Sequence, residues 1–147
     1  MKKFKEARVT VSSEITPLDT NGLPLEKEGV ERTKTDASAF LKAEDGTLSF
    51  SYFEKQDEAT TNTDIVICDK SISVIRRGAI ESSFVFEEGK SHKSLYKIPP
   101  YEFEAEIVTK KIRNALNENG GAVTIFYDMT VGGDNRRVKM RIEVNIQ

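Results

Sequence analysis

Cysteine and histidine are almost absent. Cys68 is the one cysteine and His92 the one histidine among 147 residues. A lone cysteine forms no internal disulfide, so the fold is not expected to depend on an oxidising compartment. Metal centres and nucleophilic triads usually need several such groups, and Ser91-His92-Lys93-Ser94 has no motif around it. No metal, no cofactor and no catalytic residue is therefore expected, and His92 is read as a surface residue. Long apolar runs are also lacking. No stretch approaches the roughly 20 residues that a membrane-spanning helix needs. The opening MKKFKEARVTV has lysines with no apolar segment behind them, so no signal peptide is expected. The formal net charge is only -2, which gives no global attraction to nucleic acid or to an anionic membrane. These absences point to a cytoplasmic protein that is not an enzyme, has no membrane partner and no particular affinity for nucleic acid, and whose protein partner is unspecified.

What the chain does have is alternation. Hydrophobic residues make up 37% and charged residues 31%, a balance that suits a folded domain with a solvated exterior. From Ala122 to Gln147, Val123, Ile125, Tyr127, Met129 and Val131 alternate with polar positions and Phe126. After Gly132-Gly133-Asp134-Asn135, Val138, Met140, Ile142, Val144 and Ile146 do the same. A period of two over that length marks a hairpin with one buried face. With Asp134-Asn135 as the two-residue turn, Val131 would face Val138 and Asp128 would face Arg141. A four-residue loop from Gly132 to Asn135 keeps the same faces but sets Val131 against Arg136, which favours the first register.

The same reading extends along the chain. Strands are expected at Phe4–Ile15, Val30–Lys42, Leu48–Lys55, Thr63–Asp69, Ile72–Gly78, Ala79–Glu88, Ser91–Ile98 and Tyr101–Ile112. Asp45-Gly46 is a hairpin signal, and Pro99-Pro100 separates two strands. Thr16–Gly29 and Gln56–Asn62 read as connections. Arg113–Gly121 reads as a loop with room for one helical turn. In YEFEAEIV, Tyr101, Phe103, Ala105 and Ile107 form the inward stripe, and Glu102, Glu104 and Glu106 a solvated outer row. Residues 1–147 thus form one all-β domain with no helix. About eight to ten short strands with tight connections predict a closed antiparallel up-and-down β-barrel, because closure removes exposed edges.

Several pieces carry a resemblance. They are Tyr52-Phe53-Glu54, Thr63 to Val66, Val74-Ile75-Arg76-Arg77-Gly78, Tyr96 to Pro99, Thr109-Lys110-Lys111, and Tyr127-Asp128-Met129-Thr130-Val131-Gly132. Over about Leu48 to Ile146 the chain resembles the YwiB-like family of uncharacterised bacterial proteins, also described as DUF1934. Ile98-Pro99-Pro100-Tyr101 departs from the Thr-Pro-Tyr-Gly turn of that family. The resemblance implies a calycin-like barrel, the architecture of lipocalins and fatty-acid-binding proteins, and no known activity.

Within such a barrel the candidate ligand-binding residues are Tyr52, Glu54, Arg76 and Tyr127. Leu48, Phe50 and Tyr52 share a face that ends in Glu54, and Ile72 and Val74 share one that ends in Arg76. Two apolar stripes thus end in opposite charges, which pair with each other, hold an anionic head group, or reach solvent at the rim. Buried tyrosine hydroxyls at Tyr52 and Tyr127 need polar partners. Cys68, on the face of Val66, reads as an inert core thiol. Arg137, Lys139 and Arg141 form an outer basic stripe, with Lys110, Lys111 and Arg113 nearby in sequence. Phe126 is the one aromatic beside them, so this reads as a solubilising face. Two functions remain open. One is a barrel that binds a small hydrophobic or anionic ligand inside. The other is a barrel filled with side chains that meets a protein or RNA partner on its outer face. A cavity of about 300 Å³ or more separates them.

Overall fold

Period-two runs broken by glycine, proline and asparagine give ten strands. They are β1 (Lys3–Leu18), β2 (Glu31–Glu44), β3 (Thr47–Gln56), β4 (Ala59–Ile67), β5 (Ile72–Gly78), β6 (Glu81–Phe86), β7 (Ser91–Ile98), β8 (Tyr101–Asn114), β9 (Gly121–Val131) and β10 (Asp134–Ile146). The computed structural model describes residues 3–25, 29–56 and 58–147. Residues 26–28 and 57, which fall in the two expected connections Thr16–Gly29 and Gln56–Asn62, lie outside the described residues. Every strand pairs antiparallel with its sequence neighbour, and β1 pairs with β10 to close the barrel.

The C-terminal hairpin corrects the expected register. Asp134 pairs with Val131, Arg137 with Asp128 and Val138 with Tyr127, so Gly132-Gly133 is the two-residue turn. Both glycines have positive φ, 57° and 87°, the type I′ geometry whose twist matches the flanking strands. Asp134-Asn135 would have had to adopt it at a steric cost. The faces survive the correction, because the slip is an even number of residues. Asp45 and Gly46, at φ 50° and 80°, make the expected turn between β2 and β3. Pro99-Pro100, joined by a cis bond, turns β7 into β8.

Other boundaries shift. Thr16–Leu18 continues β1 through pairs with β10, and Ala59–Asn62 belongs to β4. The 115–120 connection holds no helical turn among its residues. It folds back on itself, with the Ala115 N–H donating to the Ala122 carbonyl at 2.9 Å and the Leu116 N–H to Asn114 Oδ1 at 3.0 Å. This turns Leu116 into the core as a plug.

The inner faces divide along the barrel axis. One end, the base, carries the turns at 45–46, 68–71, 87–90 and 115–120. Its interior is packed with Val9, Leu41, Phe50, Ile65, Ile72, Phe86, Ile107, Ile125 and Ile142, all buried. The other end, the mouth, carries the turns at 79–80, 99–100 and 132–133. There Tyr101 and Phe103 continue the inward stripe of Ala105 and Ile107 but are 66% and 37% exposed. They stand beyond the packed core, and Phe103 lines the space at the mouth.

Candidate functional site

The strand register lays one row of inward side chains across six strands, just above the packed base. Tyr52 pairs with Thr63, Thr63 with Arg76, Arg76 with Ser82, Ser82 with Tyr96, and Tyr96 with Phe103. In each of β3 to β6 the apolar alternation gives way at this level. Ile72 and Val74 lead to Arg76, Ile67 and Ile65 to Thr63, and Phe86 and Phe84 to Ser82. The row is therefore a polar belt inside an apolar tube.

Above the belt is a cavity of about 390 Å³ open to the mouth. Arg76 and Tyr127 line it, together with Phe84, Tyr96, Phe103 and Met129. Asp134 and Arg136 of β10 stand at its rim. Phe84 stacks on Tyr96 with ring centroids 6.0 Å apart, and Tyr127 tilts against Phe86 at 4.7 Å, so both tyrosines are anchored on the apolar base. Close packing at the mouth is local. A β-carbon at Gly132 would come 3.2 Å from the Phe103 ring, and Gly132 already has positive φ.

Electrostatics tie the belt together through Arg76. Burial pushes the Tyr127 hydroxyl up to about 12, with the Arg76 guanidinium pulling the other way. Burial also raises Tyr52 to about 12, helped by the Glu54 carboxylate and opposed by Arg76. Tyr52 pairs with Thr63 across the strands, and the Thr63 hydroxyl is buried without a hydrogen-bond partner among the described residues. Arg76 is half-buried, and no ion pair joins it to Glu54 or to another carboxylate among the described residues. The Ser82 hydroxyl beside it is buried without a hydrogen-bond partner among the described residues. An unpaired cation and a spare hydroxyl at the wall of an aromatic cavity suit an anionic group attached to an apolar body.

Of the residues expected at the site, Arg76 and Tyr127 thus meet at the cavity. Tyr52 stands in the belt and Glu54 two residues further toward the mouth, opposite Thr61, and neither lines the cavity. Tyr96, Phe103, Asp134 and Arg136 were missed. Tyr96 and Phe103 read as ordinary strand positions, and the assumed hairpin register put Asp134 in the turn and Arg136 directly after it, whereas they pair with Val131 and Met129. Cys68 is corrected. The buried positions of β4 are Thr61, Thr63, Ile65 and Ile67, so Cys68 follows the outward parity and is half-buried. It lies in a groove of about 370 Å³ with Lys70, Glu87 and Lys90, and its Sγ is 3.9 Å from Thr47 Oγ1. His92 is partly exposed, with Nε2 2.9 Å from Glu87 Oε1. Lys90, and secondarily His92, hold the Glu87 carboxyl below its usual range. Among the described residues no cluster of three or more His, Cys, Asp or Glu side chains is placed to hold a metal.

The family described as domain of unknown function DUF1934 matches residues 23–143. The chain belongs to this family. It is 29% identical over 101 residues to the uncharacterised β-barrel protein YwiB of Bacillus subtilis (strain 168), a match over 69% of this chain and 71% of that protein. The crystal structure of the Bacillus subtilis YwiB protein superposes with a TM-score of 0.81 at 25% identity, covering 98% of this chain and 93% of that one. The closed barrel is thus shared with this relative, and the family's function is unknown. No helix among the described residues is long and apolar enough to cross a membrane.

Proposed function

We propose that the barrel is a non-catalytic, cytoplasmic binding protein for a small amphipathic anion. The observation that carries this reading is the half-buried Arg76, without a carboxylate partner among the described residues, at the wall of the 390 Å³ mouth cavity. The volume falls near the lower end of small-molecule pockets, about 300–1,000 Å³, so a compact ligand suits it better than a long lipid chain. Arg76 engages the anionic group, with the Ser82 hydroxyl beside it. Phe84, Tyr96, Phe103 and Tyr127 enclose the apolar part. The calycin-like architecture supports this reading only by analogy.

Native mass spectrometry of protein purified from its own host tests it. The expected result is a small bound mass that is lost in Arg76→Ala. Displacement of an anilinonaphthalene sulfonate dye gives a second readout. A ligand-free spectrum, together with dye binding unchanged in Arg76→Ala, would overturn the proposal.

A further inference from the structure

The outward faces of β8, β9, β10, β1 and β2 carry a second feature, independent of the cavity. Its cations are scattered in sequence, and the register makes them neighbours. One row runs Lys111, Phe126, Lys139, Glu14, Arg32. The next runs Arg113, Thr124, Arg141, Ser12, Lys34. A β-bulge between Thr109 and Lys111 adds an extra exposed lysine, Lys110, at the edge of the first row. Between β10 and β2, Lys139, Arg141, Arg32 and Lys34 line a groove of about 300 Å³ together with Glu14, Ser12 and Ser13.

Some of this charge is neutralised. Glu14 lies 3.7 Å from Arg32, Glu143 lies 3.6 Å from Arg141, and Asp128 lies 3.1 Å from the neighbouring Arg137. Asp36 accepts a hydrogen bond from Thr10 at one border, and Glu88 accepts one from the Ile112 N–H at the other. Lys34, Lys110, Lys111, Arg113 and Lys139 have no carboxylate within ion-pair distance among the described residues. A chain of net charge -2 thus gathers unpaired positive charge on one wall.

We infer that this wall binds single-stranded nucleic acid through its phosphates. The patch lacks the apolar and aromatic core that a protein partner would need, and it has no apolar side chains to insert into a membrane. Its one aromatic, Phe126, is half-buried, with the Arg113 guanidinium 5.6 Å and the Lys139 ammonium 5.9 Å from its ring centroid. Within these two rows bases have no free ring to stack on, the exposed Phe4 and Phe40 lying further along β1 and β2, and contact is made through the backbone, without sequence preference. Nucleic-acid interfaces are polar and strongly positive, as this one is. The outside of a barrel is convex. A flexible single strand follows it, whereas a duplex, stiff over about 150 base pairs, touches it only along a line.

Fluorescence anisotropy with a labelled oligouridine of about 20 nucleotides tests the inference, starting near 50 mM salt. The expected result is binding that weakens with salt, with a log–log slope near -3, corresponding to about four neutralised phosphates on a single strand. Lys111→Glu with Lys139→Glu is expected to lower affinity at least about tenfold and to flatten the slope by about 2. Lys111→Gln with Lys139→Gln should fall between, and Lys55→Glu on β3, outside the patch, should bind as wild type. Circular dichroism confirms that each variant is folded. No binding at low salt, or equal binding by the folded charge-reversed variant, would overturn the inference. So would polyglutamate competing as well as the oligonucleotide, which would assign the face to an acidic protein, or a duplex binding more tightly than the single strand.

Discussion

The base and the mouth of the barrel are built from the same strands and serve opposite ends. At the base, the inward positions of β5 are Ile72 and Val74, and the next position toward the mouth is Arg76. On β6, Phe86 and Phe84 give way to Ser82, and on β4, Ile67 and Ile65 give way to Thr63. The base is closed by the Leu116 plug, while the mouth keeps a 390 Å³ cavity. Burial of apolar surface in one half holds the wall shut. That stability lets the other half carry an unpaired guanidinium and an open space, which stabilise nothing by themselves. Fold and candidate site are thus separated along a single axis, not distributed over separate domains.

The sharpest way to break the comparison is to remove the same kind of group from each half. Ile125→Ala, at a fully buried base position, is expected to cost about 2–5 kcal/mol in a urea melt, because it leaves a cavity in close-packed surroundings. Phe103→Ala at the mouth should cost about 1 kcal/mol or less, despite the larger group removed. Equal losses would mean that the mouth is packed as tightly as the base.

The belt between the halves sets the next effect. Tyr52 and Tyr127 have folded values raised from 10.0 to about 12. A raised acid stays protonated in the folded state while its unfolded counterpart ionises. These two tyrosines therefore leave stability unchanged below pH 10 and lower it between pH 10 and about 12. Each tyrosine should contribute about 2 kcal/mol of that loss, a two-unit shift taken at 1.36 kcal/mol per unit and rounded down. Denaturant melts across this range check it, and Tyr52→Phe should remove about half of the slope.

Arg76 gives a smaller effect on stability and a larger one on binding. With no carboxylate partner to strand among the described residues, Arg76→Ala should change the melt by less than about 1 kcal/mol. Coupling to Glu54→Leu should be within about 0.5 kcal/mol, as a double-mutant cycle would show. A loss of several kcal/mol would mean that the guanidinium holds the belt together structurally. The smallest effect concerns Cys68. Half-buried on the outer side of the base, it should label with maleimide in the native protein, more slowly than in urea. Complete protection would return it to the core.

Much of this barrel was legible in its residues. Parity along Val123 to Val131 and Val138 to Ile146 placed every inward residue of the last hairpin correctly, even though the turn was assigned to the wrong pair. An even slip leaves faces unchanged, so burial is encoded more robustly than register. Gly132-Gly133 and Asp134-Asn135 are both turn-forming pairs, and only the backbone angles separate them. The change of chemistry from Val74 to Arg76 pointed to the polar belt. The cavity itself was not legible, because Ile, Val, Phe and Tyr line filled and hollow barrels alike, and Tyr96 and Phe103 carry no mark of which they face. The basic stripe of β8 and β10 was legible, and its extension to Arg32 and Lys34 of β2 was not. Lys34 and Lys139 become neighbours only through the pairing of β1 with both β2 and β10.

That double pairing also orders events in time. β1 meets β2 within one hairpin, yet its other edge waits for β10, from Ala7 opposite Ile146 to Leu18 opposite Asn135. Synthesis at about 5–20 residues per second leaves that edge without its partner for on the order of ten seconds. The outward Glu6, Arg8 and Glu14 of β1 are charged, which discourages a foreign strand from taking the place of β10. Of these ten strands, β10 is the last to leave the ribosome, and it is the one that completes the ring.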